Sequence, residues 1–261
     1  MGQDASVVYL NEVSVRDTMP LWKELKLLFK NSKKHFVKDT TLFYRFTCEE
    51  KHDTIYGKFE VTLKINYDDK GEVDARVCDY RFETNSRSFL DTLDLVAFHF
   101  NKFSPLNGYF LRYFKKIKLK KKLKSGYQVS YAKENDWKII DIHQAKDTIR
   151  IYKNRKYVYK FLYRFGNKEY KFLASHIYIF YWINNYEFEL FEGKRLFLKK
   201  GKGSSEFDRI FDNKKSVRIV YSYSIEILPP PQKCCNLKMN YCAINFINYI
   251  LDKQKQEKNC P

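Results

Sequence analysis

The side chains best suited to chemistry are thinly spread. Six cysteines stand at positions 48, 78, 234, 235, 242 and 260, and five histidines are scattered singly. Cys48 and His52 lie four apart and Cys234, Cys235 and Cys242 cluster, yet no C-x-x-C pair occurs. A zinc site needs four converging ligands at defined spacing, so no metal is expected. No Ser/His/Asp arrangement or carboxylate pair stands out. Gly201-Lys202-Gly203-Ser204-Ser205 lacks the spacing and the following apolar helix of a phosphate loop, and reads as a lysine-rich hairpin tip. The chain is therefore expected to be non-enzymatic, without a cofactor. Four cysteines fall in the last 28 residues and the start carries no charged-then-apolar leader. Free thiols in a reducing compartment are the expectation, not a disulfide framework.

Charge is distributed in two blocks. Residues 1–111 carry 16 basic and 17 acidic side chains, whereas 112–261 carry 33 and 14, which places the net charge of +18 in the second block. Any polyanion is expected to meet that half. Its densest run is Arg112 to Lys124, with Arg112, Lys115, Lys116, Lys118, Lys120, Lys121, Lys122 and Lys124 and no acid. A solvated helix end and a phosphate contact both fit this run. Gly2 with Ser6 matches the N-myristoylation pattern, for which the basic run would be the second membrane signal. No apolar run approaches the roughly twenty residues of a membrane helix.

The elements that must position these groups follow from periodicity. Asp17 or Thr18 can cap a helix with Pro20 in its first turn. Leu21, Leu25, Leu28, Phe29 and Phe36 then form an apolar stripe with lysines on the other side, predicting a helix over 19–37. Phe59, Val61, Leu63, Ile65 and Tyr67 alternate with polar residues, turn at Asp68 to Gly71, and resume at Val73, Ala75 and Val77. That is a β-hairpin over 57–79, which Leu42–Phe46 should join. Phe89, Leu93, Val96, Ala97 and Phe100 predict a helix over 87–101. Ser104-Pro105 opens another, whose apolar face is Leu106, Phe110, Tyr113 and Ile117. Helices on one face of an antiparallel sheet make an α+β domain.

The stretch "YGKFEVTLKINYDDKGEVDARVCDYRF" with "SFLDTLDLVAFHFNKFSPLNGYFLRYFKKI" resembles the RWD-like globular head of the Spc-twenty-five kinetochore family. The matching positions are Phe59 to Ile65, Asp68 to Gly71, Val77-Cys78-Asp79, Phe89 to Phe100, Asn101 to Ser104 and Phe110 to Phe114. The resemblance covers about residues 25–117. It implies docking to a second RWD-type head or a kinetochore receptor peptide, a hetero-oligomer, and a nuclear, chromosomal location in dividing cells.

Beyond Ser125-Gly126 the chain is strand-rich. Arg155, Tyr157, Tyr159, Phe161, Tyr163 and Phe165 share one face of an extended run within 151–173, with Lys156, Lys160 and Arg164 on the other. This is either a sheet packing on its own core or an aromatic platform for single-stranded nucleic acid. Val217, Ile219, Tyr221, Tyr223, Ile225 and Ile227 alternate again before Pro229-Pro230-Pro231. The expected organisation is an RWD-like α+β interaction domain over 1–124, a strand-rich basic domain over 125–231 and a tail over 232–261. The expected function is protein interaction at the kinetochore. The alternatives are nucleic-acid binding through 112–124, Lys156, Lys160 and Arg164, and a peripheral membrane protein acylated at Gly2.

Overall fold

A computed structural model describes residues 8–9, 21–69, 73–85, 128–134, 137–144, 147–154, 156–172, 175–191, 194–211, 216–231 and 237–239. One helix, α1 (Leu21–His35), is found among them. The strands are β1 (Val8–Tyr9), β2 (Thr40–His52), β3 (Ile55–Tyr67), β4 (Val73–Thr84), β5 (Gln128–Glu134), β6 (Trp137–Gln144) and β7 (Asp147–Lys153). They continue with β8 (Val158–Phe172), β9 (Ser175–Phe191), β10 (Arg195–Phe211), β11 (Ser216–Leu228) and β12 (Leu237–Met239).

All twelve strands belong to one antiparallel sheet, in the order β1-β5-β6-β7-β8-β9-β10-β11-β2-β3-β4-β12. Alternation builds it: along β2 and β3 every second side chain is buried, and the row continues into Ile219, Tyr221, Tyr223 and Ile225 of β11. Long strands stay in register with the core because bulges reset the alternation. Leu63 faces Val77, but Thr62 faces Asp79, leaving Cys78 as the extra residue. Similar shifts occur between Leu198 and Lys200, and between Tyr152 and Lys153. Each bulge bends its strand and increases its twist.

The sheet curls around α1. Glu24 near the helix start pairs with Lys153 of β7 at 2.8 Å, while Phe36 just past its end lies edge-on to Tyr67 of β3. Six strand spacings separate β7 from β3, roughly 29 Å on a flat sheet, against roughly 18 Å of helix between those residues. Only a curved sheet reaches both. Leu25, Leu28 and Phe29 bury the inner stripe of α1, and Val37 N–H donates to Leu196 of β10 at 2.8 Å. Ser32 fastens the middle: its Oγ donates to Leu28 O at 2.8 Å and accepts from the Val158 N–H at 3.0 Å.

The structure corrects the expected fold class. The described residues form a nearly all-antiparallel sheet with one helix, not an RWD-like α+β layer followed by a separate strand-rich basic domain. The physical reason lies at β2. A three-stranded head would leave the outer edge of β2 open, whereas here it pairs with β11 from Leu228↔Phe43 to Ile219↔His52. The helices expected over 87–101 and from 104 onward, the boundary at Ser125-Gly126 and most of the tail lie outside the described residues.

Two local readings also change. Gly201 to Ser205 is no hairpin tip but the middle of β10. Gly203 is needed there for close approach, since a Cβ would meet Asn184 Oδ1 at 2.7 Å, Ile183 O at 2.8 Å and the Tyr223 ring. The extended run through 155 is broken by a turn in which Asn154 Oδ1 accepts from the Lys156 and Tyr157 N–H groups.

Candidate functional site

The structure separates the residues singled out by sequence. Arg112, Lys115, Lys116, Lys118, Lys120, Lys121, Lys122, Lys124 and Gly2 lie outside the described residues. Lys156 is exposed in the β7–β8 turn. Lys160 pairs with Glu187 at 3.1 Å and stands 5.3 Å above the Tyr152 ring centre. Arg164 is exposed on the same outer face, four residues on. Nothing brings these three to one point. The aromatic face beside them turns inward: Phe161, Tyr163 and Phe165 are buried, Tyr163 stacks on Phe165, and Phe165 on Trp182. Stacking platforms need exposed rings, which Phe161, Tyr163 and Phe165 do not offer to a single-stranded nucleic acid, while Tyr157 and Tyr159 are partly exposed.

The convex face is a lattice of cross-strand charge pairs. Arg150 donates to both oxygens of Asp141 at 2.6 and 2.8 Å, and this hydrogen bonding raises its guanidinium pKa further. Lys199 meets Glu189 at 2.9 Å, and Arg218 binds Asp208 and Glu206. One row crosses five strands with alternating sign: Lys160, Glu187, Lys200, Glu226 and Arg45 stand opposite one another in turn. An open groove of about 340 Å³ beside it is lined by Asn185, Glu187, Lys200, Gly201, Lys202, Ser224, Ile225 and Glu226.

The concave face holds a buried polar chain. Tyr186 and Tyr223 share a hydroxyl hydrogen bond at 2.8 Å, Tyr223 donates on to Asn184 Oδ1, and Glu50 contacts His52. Burial raises the phenol pKa of Tyr186, Tyr221 and Tyr223 above the ordinary value, so all three are protonated at neutral pH. The Asn184 Nδ2 is buried without a hydrogen-bond partner among the described residues, and no cluster of three or more His, Cys, Asp or Glu suited to a metal occurs among them. The cysteine expectation is corrected at one position: Cys48 is a buried thiol, but Cys78 is disulfide-bonded.

The helix carries a feature that the sequence showed but to which no role was assigned. Lys23, Lys26, Leu27, Lys30, Lys33 and Lys34 are all exposed, and at 3.6 residues per turn they fill one sector of about 120°. Leu27 is 50% exposed in the middle of them. Glu24, the only acid of α1, lies to the side and faces Lys153. Lys26, Lys30, Lys33 and Lys34 enter no ion pair among the described residues, unlike Lys58, Lys160 and Lys199 of the sheet. Neighbours three and four apart of like sign destabilise a helix by about 0.2–0.5 kcal/mol each. The signal was legible as lysine spacing opposite the apolar stripe.

No protein-family model matches the chain, and a search of curated proteins finds no match. Among solved structures, the Pseudomonas aeruginosa MucA/MucB complex contains a similar chain at 9% identity, covering 79% of this chain and 93% of that one, with a TM-score of 0.25. A LolA superfamily protein from Nitrosomonas europaea is similar at 9% identity, covering 80% and 94%, with a TM-score of 0.23. Overlap this loose carries no argument about function. The resemblance to an RWD-like kinetochore head is overturned by the continuous sheet, and the kinetochore, mitotic and nuclear expectations fall with the fold that carried them.

Proposed function

We propose that this chain is a non-enzymatic binding protein whose partner is another polypeptide. The observation that carries the reading is the register row Lys160, Glu187, Lys200, Glu226 and Arg45. Five strands held in one hydrogen-bonded sheet present charges of alternating sign at fixed spacing. Such patterning serves recognition of a complementary surface, setting register and excluding wrong partners. The groove beside it is open and mixed in charge, a contact surface more than an enclosed pocket for a small molecule.

The test is purification of the full chain from its own cells at low salt, with and without a lysine-reactive cross-linker. A polypeptide is expected to accompany it in fixed ratio, cross-link at Lys160, Lys200 or Lys202, and leave as salt rises. A chain that purifies alone under every condition, or that turns over a small molecule, removes the reading. A nucleic-acid reading keeps one support, the eight cations of 112–124. Retention on DNA or RNA that weakens steeply with salt, and is lost when those eight become Gln, is what would favour it.

A further inference from the structure

We propose that the outer face of α1 is a docking surface for an acidic polypeptide segment. This rests on the protein-binding reading above and adds to it a second surface, on the helix, and the chemistry of the segment that docks there. Lys26, Lys30, Lys33 and Lys34, with Lys23, form one basic stripe about 16 Å long on a single helix face, measured at 1.5 Å per residue. The like charges repel one another, and no acid of the described residues answers the last four. An acidic segment relieves that repulsion. The stripe is also held rigid: the opposite side of α1 is locked into the core through Leu25, Leu28 and Phe29, and Ser32 ties it to β8. A pre-ordered surface loses little conformational freedom on binding.

Leu27 selects among anionic partners. A half-exposed leucine ringed by lysines has the layout of a small interface, an apolar centre within a charged rim. A phosphate backbone offers nothing apolar to cover it. An anionic bilayer would need the apolar face of a helix to enter it, and that face of α1 is buried in the sheet. An acidic peptide bearing one apolar side chain satisfies both features.

The experiment titrates the full chain with a Glu-rich peptide containing a single Leu, with a duplex DNA, and with vesicles containing anionic lipid. The variant K26Q/K30Q/K33Q/K34Q is compared with Leu27→Ser and with a control at exposed lysines of β5 and β6, K133Q/K138Q. The peptide is expected to bind, to weaken with rising salt, and to lose at least tenfold in affinity in the helix quadruple variant. Leu27→Ser should lose about threefold, roughly what a partly covered aliphatic side chain contributes, and the control should bind as the parent does. Equal binding by parent and quadruple variant overturns the proposal, as does DNA or vesicle binding tighter than the peptide's. The two readings fail separately: peptide binding unchanged in the quadruple variant refutes this surface, and a polypeptide that still co-purifies with that variant leaves the protein-binding reading intact. Circular dichroism of the quadruple variant, expected unchanged, guards against misfolding as the cause; should it differ, Leu27→Ser and the peptide's salt dependence decide the matter.

Discussion

Ser32 shows how one side chain can join a helix to a sheet. Its hydroxyl satisfies the Val158 N–H, which sits in fully buried backbone at the start of β8. Ser32→Ala leaves that donor without a partner, and the expected cost is about 1–3 kcal/mol, read as a shift in the urea midpoint. A change below the error of the measurement would show that water replaces the hydroxyl. Five buried phenols set the alkaline limit. Tyr44, Tyr67, Tyr186, Tyr221 and Tyr223 all have raised pKa values, with burial the largest cause in each. Folded and unfolded forms are equally protonated below the unfolded value of about 10, so their contribution is intact there. Above it the unfolded chain releases protons that the folded chain retains, and stability falls as pH rises. Urea midpoints should be level up to about pH 9 and drop beyond about pH 10, with tyrosinate absorbance appearing in step with unfolding. Early, reversible ionisation of all the tyrosines would contradict this burial.

At the scale of elements, the disulfide at Cys78 stands on a bulge of β4 next to the short ladder with β12. Cys78→Ser is expected to cost about 2–4 kcal/mol. A reductant should produce the same loss in the parent and none further in the variant; identical melting of oxidised and reduced parent would refute a stabilising role. This bond was invisible in the sequence, because spacing alone does not say which cysteines meet. Other elements were readable. Leu21–His35 appears within two residues of the helix predicted from its 3.6 period, and β2 to β4 contain the strands expected at Leu42–Phe46 and Phe59–Val77. Gly201 and Gly203 misled because glycine marks both turns and tight contacts between strands, and only the Tyr223 ring over Gly203 tells them apart. The candidate surfaces were half legible: the lysines of α1 showed in their spacing, but the register that lines up Lys160, Glu187, Lys200, Glu226 and Arg45 across five strands did not.

At the scale of the molecule, the β11–β2 ladder decides the architecture, and a period-two pattern carries no address saying which strand it will meet. The closure makes the sheet one cooperative body. A chain ending at residue 215 should lose cooperative unfolding and native-like hydrogen-exchange protection in β2 and β3, although it keeps both strands. If residues 40–84 of that chain stayed protected, they would be an independent unit and the ladder merely an appendage. The same closure has a consequence during synthesis. Roughly 160 residues separate β2 from its partner β11, so at about 5–20 residues per second the ribosome leaves one side of β2 without its neighbour for roughly ten to thirty seconds. Through that interval a nascent chain displays an apolar strand edge, which makes it a client for a holding chaperone and sensitive to any pause in translation before residue 216.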